Sequence, residues 1–148
     1  MIVKDFYEYD TKSNGTKGLV YIGDRVIVYR RDNKTNLFPL HLDLPGGGPE
    51  NKETPFETFR REVMEEFSLN IARENIKYAV RSTSSLYPDK YAYFCVAKLP
   101  KSYEEKIVFG DEGIEYMLMD INEFIEHKDG WPIFQLRAKD YLKSMNND

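Results

Sequence analysis

The stretch from Leu40 to Leu69 constrains this chain more than any other. Leu40, Leu42 and Leu44 alternate with His41 and Asp43, which predicts a short strand with one buried face, and Pro45 with three glycines stops it. Thr54 then carries three helix-start signals: a hydroxyl for the N-cap, Pro55 at the first helical position and Glu57 placed to close a capping box. Along the helix that follows, each residue advances about 100°, which gathers Phe56, Phe59, Val63 and Phe67 within about 80° of one another as a stripe to be buried. A strand, a glycine loop and an amphipathic helix in immediate succession call for a sheet on which the stripe can pack.

The rest of the chain supplies that sheet. After a polar opening, "TKSNGTKG", the run "LVYIGDRVIVYRR" holds two β-rich segments joined by Gly23-Asp24, which predicts a hairpin near residues 18 to 31. Further strands are predicted at "IKYAVRST" and "KYAYFCVAKL", separated by "SSLYPD", and at "IEYMLM". Asp120 and Glu123 repeat the capping pattern ahead of "INEFIEH", and Trp131-Pro132 opens a last helix through "IFQLRAKDYLKSM". Strands and helices are mixed, so the class is α/β (α+β), a mixed sheet with helices packed on it. No linker divides the 148 residues, a length that buries one continuous core, and residues 1–148 read as a single domain.

Composition removes several function classes. No apolar run nears the roughly 20 residues that span a bilayer, and "MIVKDFYEYD" lacks the apolar core of a secretory signal, so the expected setting is the cytoplasm with no membrane partner. A net charge of -4 argues against a surface that tracks long DNA or RNA, which needs a basic patch. A small phosphorylated partner stays open, because one bound metal ion supplies local positive charge inside an acidic protein. Cys95, the single cysteine, lies in an apolar run and reads as a small buried hydrophobe. A homodimer is neither indicated nor excluded.

Glu62, Glu65 and Glu66 form a second cluster on the helix, centred about 110° from the apolar stripe, so they flank it instead of standing opposite. A single glutamate on a helix is ordinarily a solvated one. Three of them at this spacing repel one another by a few tenths of a kcal/mol per pair, and they sit toward the C-terminus, where the macrodipole disfavours negative charge. Arg61 offsets part of this through Glu65 at i+4. A hard divalent cation would offset the rest, since Mg²⁺ binds through a few carboxylates, waters and substrate phosphates.

From Gly47 the chain runs glycine, five residues, Glu53, seven residues, Arg61-Glu62-Val63, one residue, Glu65-Glu66, one residue, Ser68-Leu69. This resembles the Nudix box of the MutT-like Nudix hydrolases at every fixed position except the last glycine, where Ser68 stands. The resemblance implies a Nudix-type α/β/α sandwich and Mg²⁺- or Mn²⁺-dependent hydrolysis of a nucleoside diphosphate linked to another group. By position, the family's metal-binding carboxylates fall on Glu62, Glu65 and Glu66, and its metal-coordinating backbone carbonyl on Gly46. Glu53 and Arg61 match the acid and arginine that brace the cluster. The family's further acid before a late strand falls best on Glu112, with Glu115 second, as ligand or base; an ordinary loop acid explains Glu112 equally well.

Other candidates are weaker. Arg30 and Arg31 end a predicted strand within reach of a substrate phosphate, and Tyr87 lies where some relatives acting on dinucleoside polyphosphates carry a stacking tyrosine. Phe6, Tyr7 and Tyr9 would stack a base or pack in a strand. The reading that results is a small-molecule, nucleotide-type hydrolase acting on a nucleoside triphosphate, a dinucleoside polyphosphate or a nucleotide sugar. A catalytically silent ligand-sensing module of the same fold is the competing reading, and the complete acid set counts against it. Ser68 at a helix end is expected to cost about 1 kcal/mol in a left-handed conformation, or to end the helix differently, and to leave the chemistry intact.

Overall fold

The structure, a computed structural model, describes residues 1–146. Strands β1 (Ser13–Ile22) and β2 (Arg25–Arg30) form the expected hairpin, pairing Tyr21 with Val26 and Ile22 with Arg25. β1 begins at Ser13, well before residue 18, because its polar opening finds distant partners. It runs parallel to β6 (Tyr91–Leu99) from Ser13 opposite Tyr91 to Ile22 opposite Leu99, and Thr16 and Lys17 also pair with the two-residue strand β4 (Gly46–Gly47). Local composition reads that opening as a loop, whereas non-local backbone hydrogen bonds decide it.

The short strand of the glycine loop is β3 (Leu42–Asp43), paired antiparallel to β2. Its expected alternation fails at two positions. Asp43 is fully buried instead of exposed, and Leu40 is 46% exposed in a left-handed conformation, φ 61°. Polar partners inside the domain hold Asp43, as described below.

The remaining elements are α1 (Pro55–Phe67), β5 (Ile76–Thr83), β7 (Glu115–Met119), α2 (Ile121–Glu126) and α3 (Pro132–Asn146). The sheet runs β3-β2-β1-β6-β5, with β7 also on β2 and β4 also on β1. The β1–β6 ladder is parallel and the others antiparallel, so the sheet is mixed.

One face packs on α1: Phe56, Phe59, Val63 and Phe67 join Val20, Ile27 and Cys95 in a buried cluster. The opposite face packs on α2 and α3, through Phe124, Ala138 and Tyr141 against Leu19, Val28 and Phe94. Helix, sheet and helix thus stack as an α/β/α sandwich, and each fully buried phenylalanine of α1 contributes about 1.5–3 kcal/mol. Phe6 and Tyr7 lie in a 3₁₀ turn, Lys4–Tyr7, not in a strand. Phe6 is buried edge-on to Phe56, so it has no face free for a base. Among the described residues no helix is long and apolar enough to cross a membrane.

Candidate active site

Both ends of α1 are fixed by the residues that the sequence pattern singles out. Thr54 Oγ1 accepts a hydrogen bond from the Glu57 amide at 3.1 Å, and Glu57 Oε1 accepts one from the Thr54 amide at 2.9 Å, which completes the capping box. At the other end Ser68 takes the left-handed conformation, φ 61° and ψ 30°, and its amide donates to the Met64 carbonyl. The acids between these ends point into three different environments. Glu66 falls about 20° from Phe59 around the helix, which draws it into the protein, and it is 2% exposed. The Gly46 amide donates to Glu66 Oε1 at 3.0 Å. Gly46 has φ +125°, and a Cβ there would lie 2.0 Å from the Thr16 carbonyl oxygen, so only glycine presents this amide. A Cβ on Gly47 would stand 2.6 Å from the Glu62 carboxyl carbon, so the missing side chain is the space that this carboxylate fills. Glu65 is the exposed member.

Arg61 gathers the loop and the helix. Its Nε donates to Glu53 Oε2 at 2.8 Å, and the guanidinium also donates to the Gly48 carbonyl at 2.8 Å, to Glu62 at 3.1 Å and to Glu65 at 3.2 Å. Burial works against the Glu53 charge, and the Arg61 hydrogen bonds override it, holding that carboxyl below its usual range. Burial raises the Glu62 carboxyl in spite of Arg61. For Glu66 burial dominates Lys17 and the Gly46 amide, and its pKa is pushed up to about 8.

These oxygens suit a hard cation. Glu66 is a buried carboxylate with one backbone donor and, among the described residues, no ion-pair partner. Among those residues no three acids converge closely enough to hold a metal as they stand, because Arg61 draws Glu62 and Glu65 toward itself while Gly46 draws Glu66. Mg²⁺ and Mn²⁺ prefer such oxygen donors, and a cation would compete with Arg61 for two of them. Glu112 lies in the turn before β7, near enough that its charge adds to the raised pKa of Glu62 and of Glu66. The preceding segment is tied to the end of α1, with the Gly110 amide donating to the Glu66 carbonyl at 2.7 Å and the Val108 amide to the Phe67 carbonyl at 3.1 Å. Glu115 instead faces Arg30 at 3.5 Å.

Beside the acids, across Gly47 and Gly48, opens a cavity of about 320 Å³, within the size range of small-molecule sites. Lys17, Arg31, Tyr87 and Phe134 are among its lining residues. Asp43 lies beneath and organises it: Oδ2 accepts from Lys17 Nζ at 3.0 Å, Tyr29 OH at 3.0 Å and Arg31 at 2.9 Å, and Oδ1 accepts from the Leu44 amide at 2.7 Å. Burial alone would depress the Lys17 ammonium, yet with Asp43 as its first partner the pKa is raised and Lys17 stays charged.

A family model, described as the NUDIX domain, matches residues 15–138. The chain belongs to the Nudix family. It is a Nudix pyrophosphohydrolase by class. Solved structures agree on the fold. The MutT protein from Methanosarcina mazei Go1 is 18% identical, with a TM-score of 0.69 over 88% of this chain and 92% of that one. A C. elegans Ap4A hydrolase in a binary complex is 13% identical, with a TM-score of 0.68 over 90% and 99%. A bifunctional NMN adenylyltransferase/ADP ribose pyrophosphatase from Francisella tularensis, complexed with AMP and a Mn ion, is 18% identical, with a TM-score of 0.55 over 72% of this chain and 33% of that one. No curated protein matches the sequence.

The Nudix fold brings Gly46, Glu53, Arg61, Glu62, Glu65, Glu66 and Glu112 to one edge of the domain, and it carries Arg31 and Tyr87 to the adjoining cavity. Arg30 is not brought there. Neighbouring residues on a strand point to opposite faces, and Arg30 bonds to the Leu40 carbonyl, Asp129 and Glu115 while Arg31 reaches the cavity. Sequence reasoning passes over Lys17, Asp43, Phe134 and Arg137, which belong to segments far from the Nudix box. The one local signal was Asp43 itself, an acid within a leucine run directly before the glycine loop.

Proposed function

We propose that this Nudix hydrolase cleaves a diphosphate linkage in a nucleoside diphosphate derivative, with Mg²⁺ or Mn²⁺ held by Glu62, Glu65 and Glu66 and by the Gly46 carbonyl. The single observation that carries the reading is the shared glycine loop: Gly46 and Gly47 hold the buried Glu66, which has no ion-pair partner among the described residues, and the Glu62 carboxylate, while Gly47 and Gly48 line a cavity of cations and aromatic rings. A diphosphate ester of a nucleoside has the matching halves, an anionic bridge and an apolar ring. When bound, the cation neutralises phosphoryl oxygens and makes a bound water more acidic.

The chain's own residues do the remaining work. Water adds to one phosphorus, the bond to the bridging oxygen breaks, that oxygen leaves on the second phosphate, and a proton is released to solvent. Glu112, exposed beside the acids, is the candidate to accept that proton on its way out. Arg61 keeps Glu53, Glu62 and Glu65 gathered at the loop, so the acids are oriented before substrate arrives. Arg31 presents its guanidinium to phosphate oxygens, and the pinned Lys17 adds charge beneath. Tyr87 and Phe134 offer ring faces to the base. The expected partner is a small nucleotide in the cytoplasm, with no long nucleic acid and no membrane; a homodimer is compatible with all of this.

The test is a panel of nucleoside triphosphates, dinucleoside polyphosphates and nucleotide sugars, assayed with Mg²⁺, with EDTA and with Glu66→Gln. We expect metal-dependent turnover of at least one compound and its loss in the variant. A well-folded protein that turns over none of them, and whose Mn²⁺ titration is unchanged by Glu66→Gln, would instead be a silent ligand-sensing module.

A further inference from the structure

The charge in the cavity bears on which derivative is cleaved. Lys17, Arg31 and Arg137 line it, and among the described residues no carboxylate does. Asp43, buried under the floor, pairs with both Lys17 and Arg31 and neutralises one of the three charges. Lys17 stands beside Glu66 as well as Asp43, which leaves Arg137 as the lining charge that nothing among the described residues pairs with.

Hydrogen-bonding capacity points the same way. Lys17 directs its three donors to Asp43, the Leu44 carbonyl and the Tyr29 hydroxyl, so it offers charge without a free N–H. Arg31 bonds through three N–H groups, to Leu37, Asp43 and Thr35, which leaves two of its five. Arg137, half-buried on α3, has no side-chain hydrogen bond and no ion pair among the described residues. Position completes the argument. Lys17 pairs in register with Gly46, the residue that holds Glu66, while its ammonium lies 5.9 Å from the Phe134 ring centroid. Moving away from the acids, a ligand meets cationic groups first and an aromatic ring next.

We propose that the group held in this cavity is a nucleoside bearing phosphate beyond the diphosphate that is cleaved, so that polyphosphates are favoured over nucleotide sugars. The inference rests on the hydrolase reading above. A sugar hydroxyl would leave Arg137 without a counter-ion and the two free Arg31 N–H groups without a charged acceptor, whereas a further phosphoryl group supplies both charge and acceptor oxygens. A nucleoside triphosphate and a dinucleoside polyphosphate both carry that group, and the bond broken is a P–O–P bridge opened by water in either.

The experiment compares kcat/KM for ATP, GTP and diadenosine tetraphosphate with that for ADP-ribose and UDP-glucose, in Mg²⁺. One charge-assisted contact gives an expected preference of about tenfold for polyphosphates, and Arg137→Gln, which removes the free cation, is expected to narrow that ratio at least about threefold. The arms within the polyphosphate set show whether a single or a bridged nucleoside is preferred. Equal or better turnover of the nucleotide sugars overturns the inference, as does a ratio unchanged by Arg137→Gln. Calorimetric affinities for methylene-bridged ATP and for ADP-ribose give the same ratio without turnover. If nothing is hydrolysed the hydrolase reading fails by itself, while those affinities still decide this one.

Discussion

Ser68 allows a stringent test of how the helix end relates to the site. The residue sits at φ 61°, ψ 30°, a conformation that costs a side-chain-bearing residue about 1–2 kcal/mol. Glycine removes that cost but adds back about 0.5–1 kcal/mol through its freedom in the unfolded chain. The serine hydroxyl donates to the Val108 carbonyl at 3.4 Å on an exposed surface, and losing so long a bond costs a few tenths of a kcal/mol. The balance for Ser68→Gly is a stabilisation of about 0.5 kcal/mol, or roughly 1–2 °C in Tm for a domain of this size. Ser68→Val keeps a side chain and branches it at Cβ, so it is expected to lower Tm by about 3–6 °C. Scanning calorimetry on the three proteins, with turnover measured on each, is the assay. A Ser68→Gly protein that melts lower than the parent, or one whose kcat changes several-fold, would refute the reasoning, since it would mean the serine shapes the site beyond tolerating the turn.

Two further outcomes follow from the same geometry. Gly47→Ala puts a methyl group 2.6 Å from the Glu62 carboxyl carbon, the far end of a flexible side chain. The carboxylate must swing away, so kcat should fall about a hundredfold while Tm changes little; near-normal turnover would show that Glu62 need not stand where it does. The second concerns pH in metal-free protein. Glu66 has a folded pKa of about 8 against an ordinary 4.5, and the raised Glu62 acts in the same direction. The folded state therefore binds protons more tightly, so this stability is complete below pH 4.5 and is lost as pH rises through 8. Tm in EDTA should decline across that window, Glu66→Gln should flatten the decline, and Mg²⁺ should stabilise most at its alkaline end. A decline unaltered by Glu66→Gln would assign it to other groups.

The parts of this protein legible in sequence are those governed by local rules. The capping box at Thr54, the stripe of α1 and the i,i+4 pair of Arg61 with Glu65 depend on residues within one or two turns, and all three appear as expected. Glu66 is a subtler case: the sequence groups it with Glu62 and Glu65 beside the stripe, and the structure alone shows it buried. What sequence left hidden depends on pairing across the chain. The first half of β1 is a strand only because β6 and β4 lie on either side, and Asp43 is buried only because Lys17 of β1, Tyr29 of β2 and Arg31 just beyond β2 converge on it. The aromatic opening went wrong for the same reason, since Phe56, far along the chain, decides where Phe6 packs.

β1 serves two neighbours on one edge: its first half pairs with β4 and its last two residues with β2. Between those contacts the sheet forks, and the prong that carries β4 brings Gly47, together with Thr16 and Lys17 of β1, into the wall of the candidate cleft. That part of the wall is a backbone ladder, whose spacing is set by hydrogen bonds and not by the size of any side chain. Evolution of a new substrate preference at such a place has little freedom to widen the slot, but wide freedom to change what lines it. A shift of β1 by a single residue would be far more drastic than any substitution, because it would turn Lys17 to the opposite face and disarm the cleft while leaving the core nearly as apolar as before.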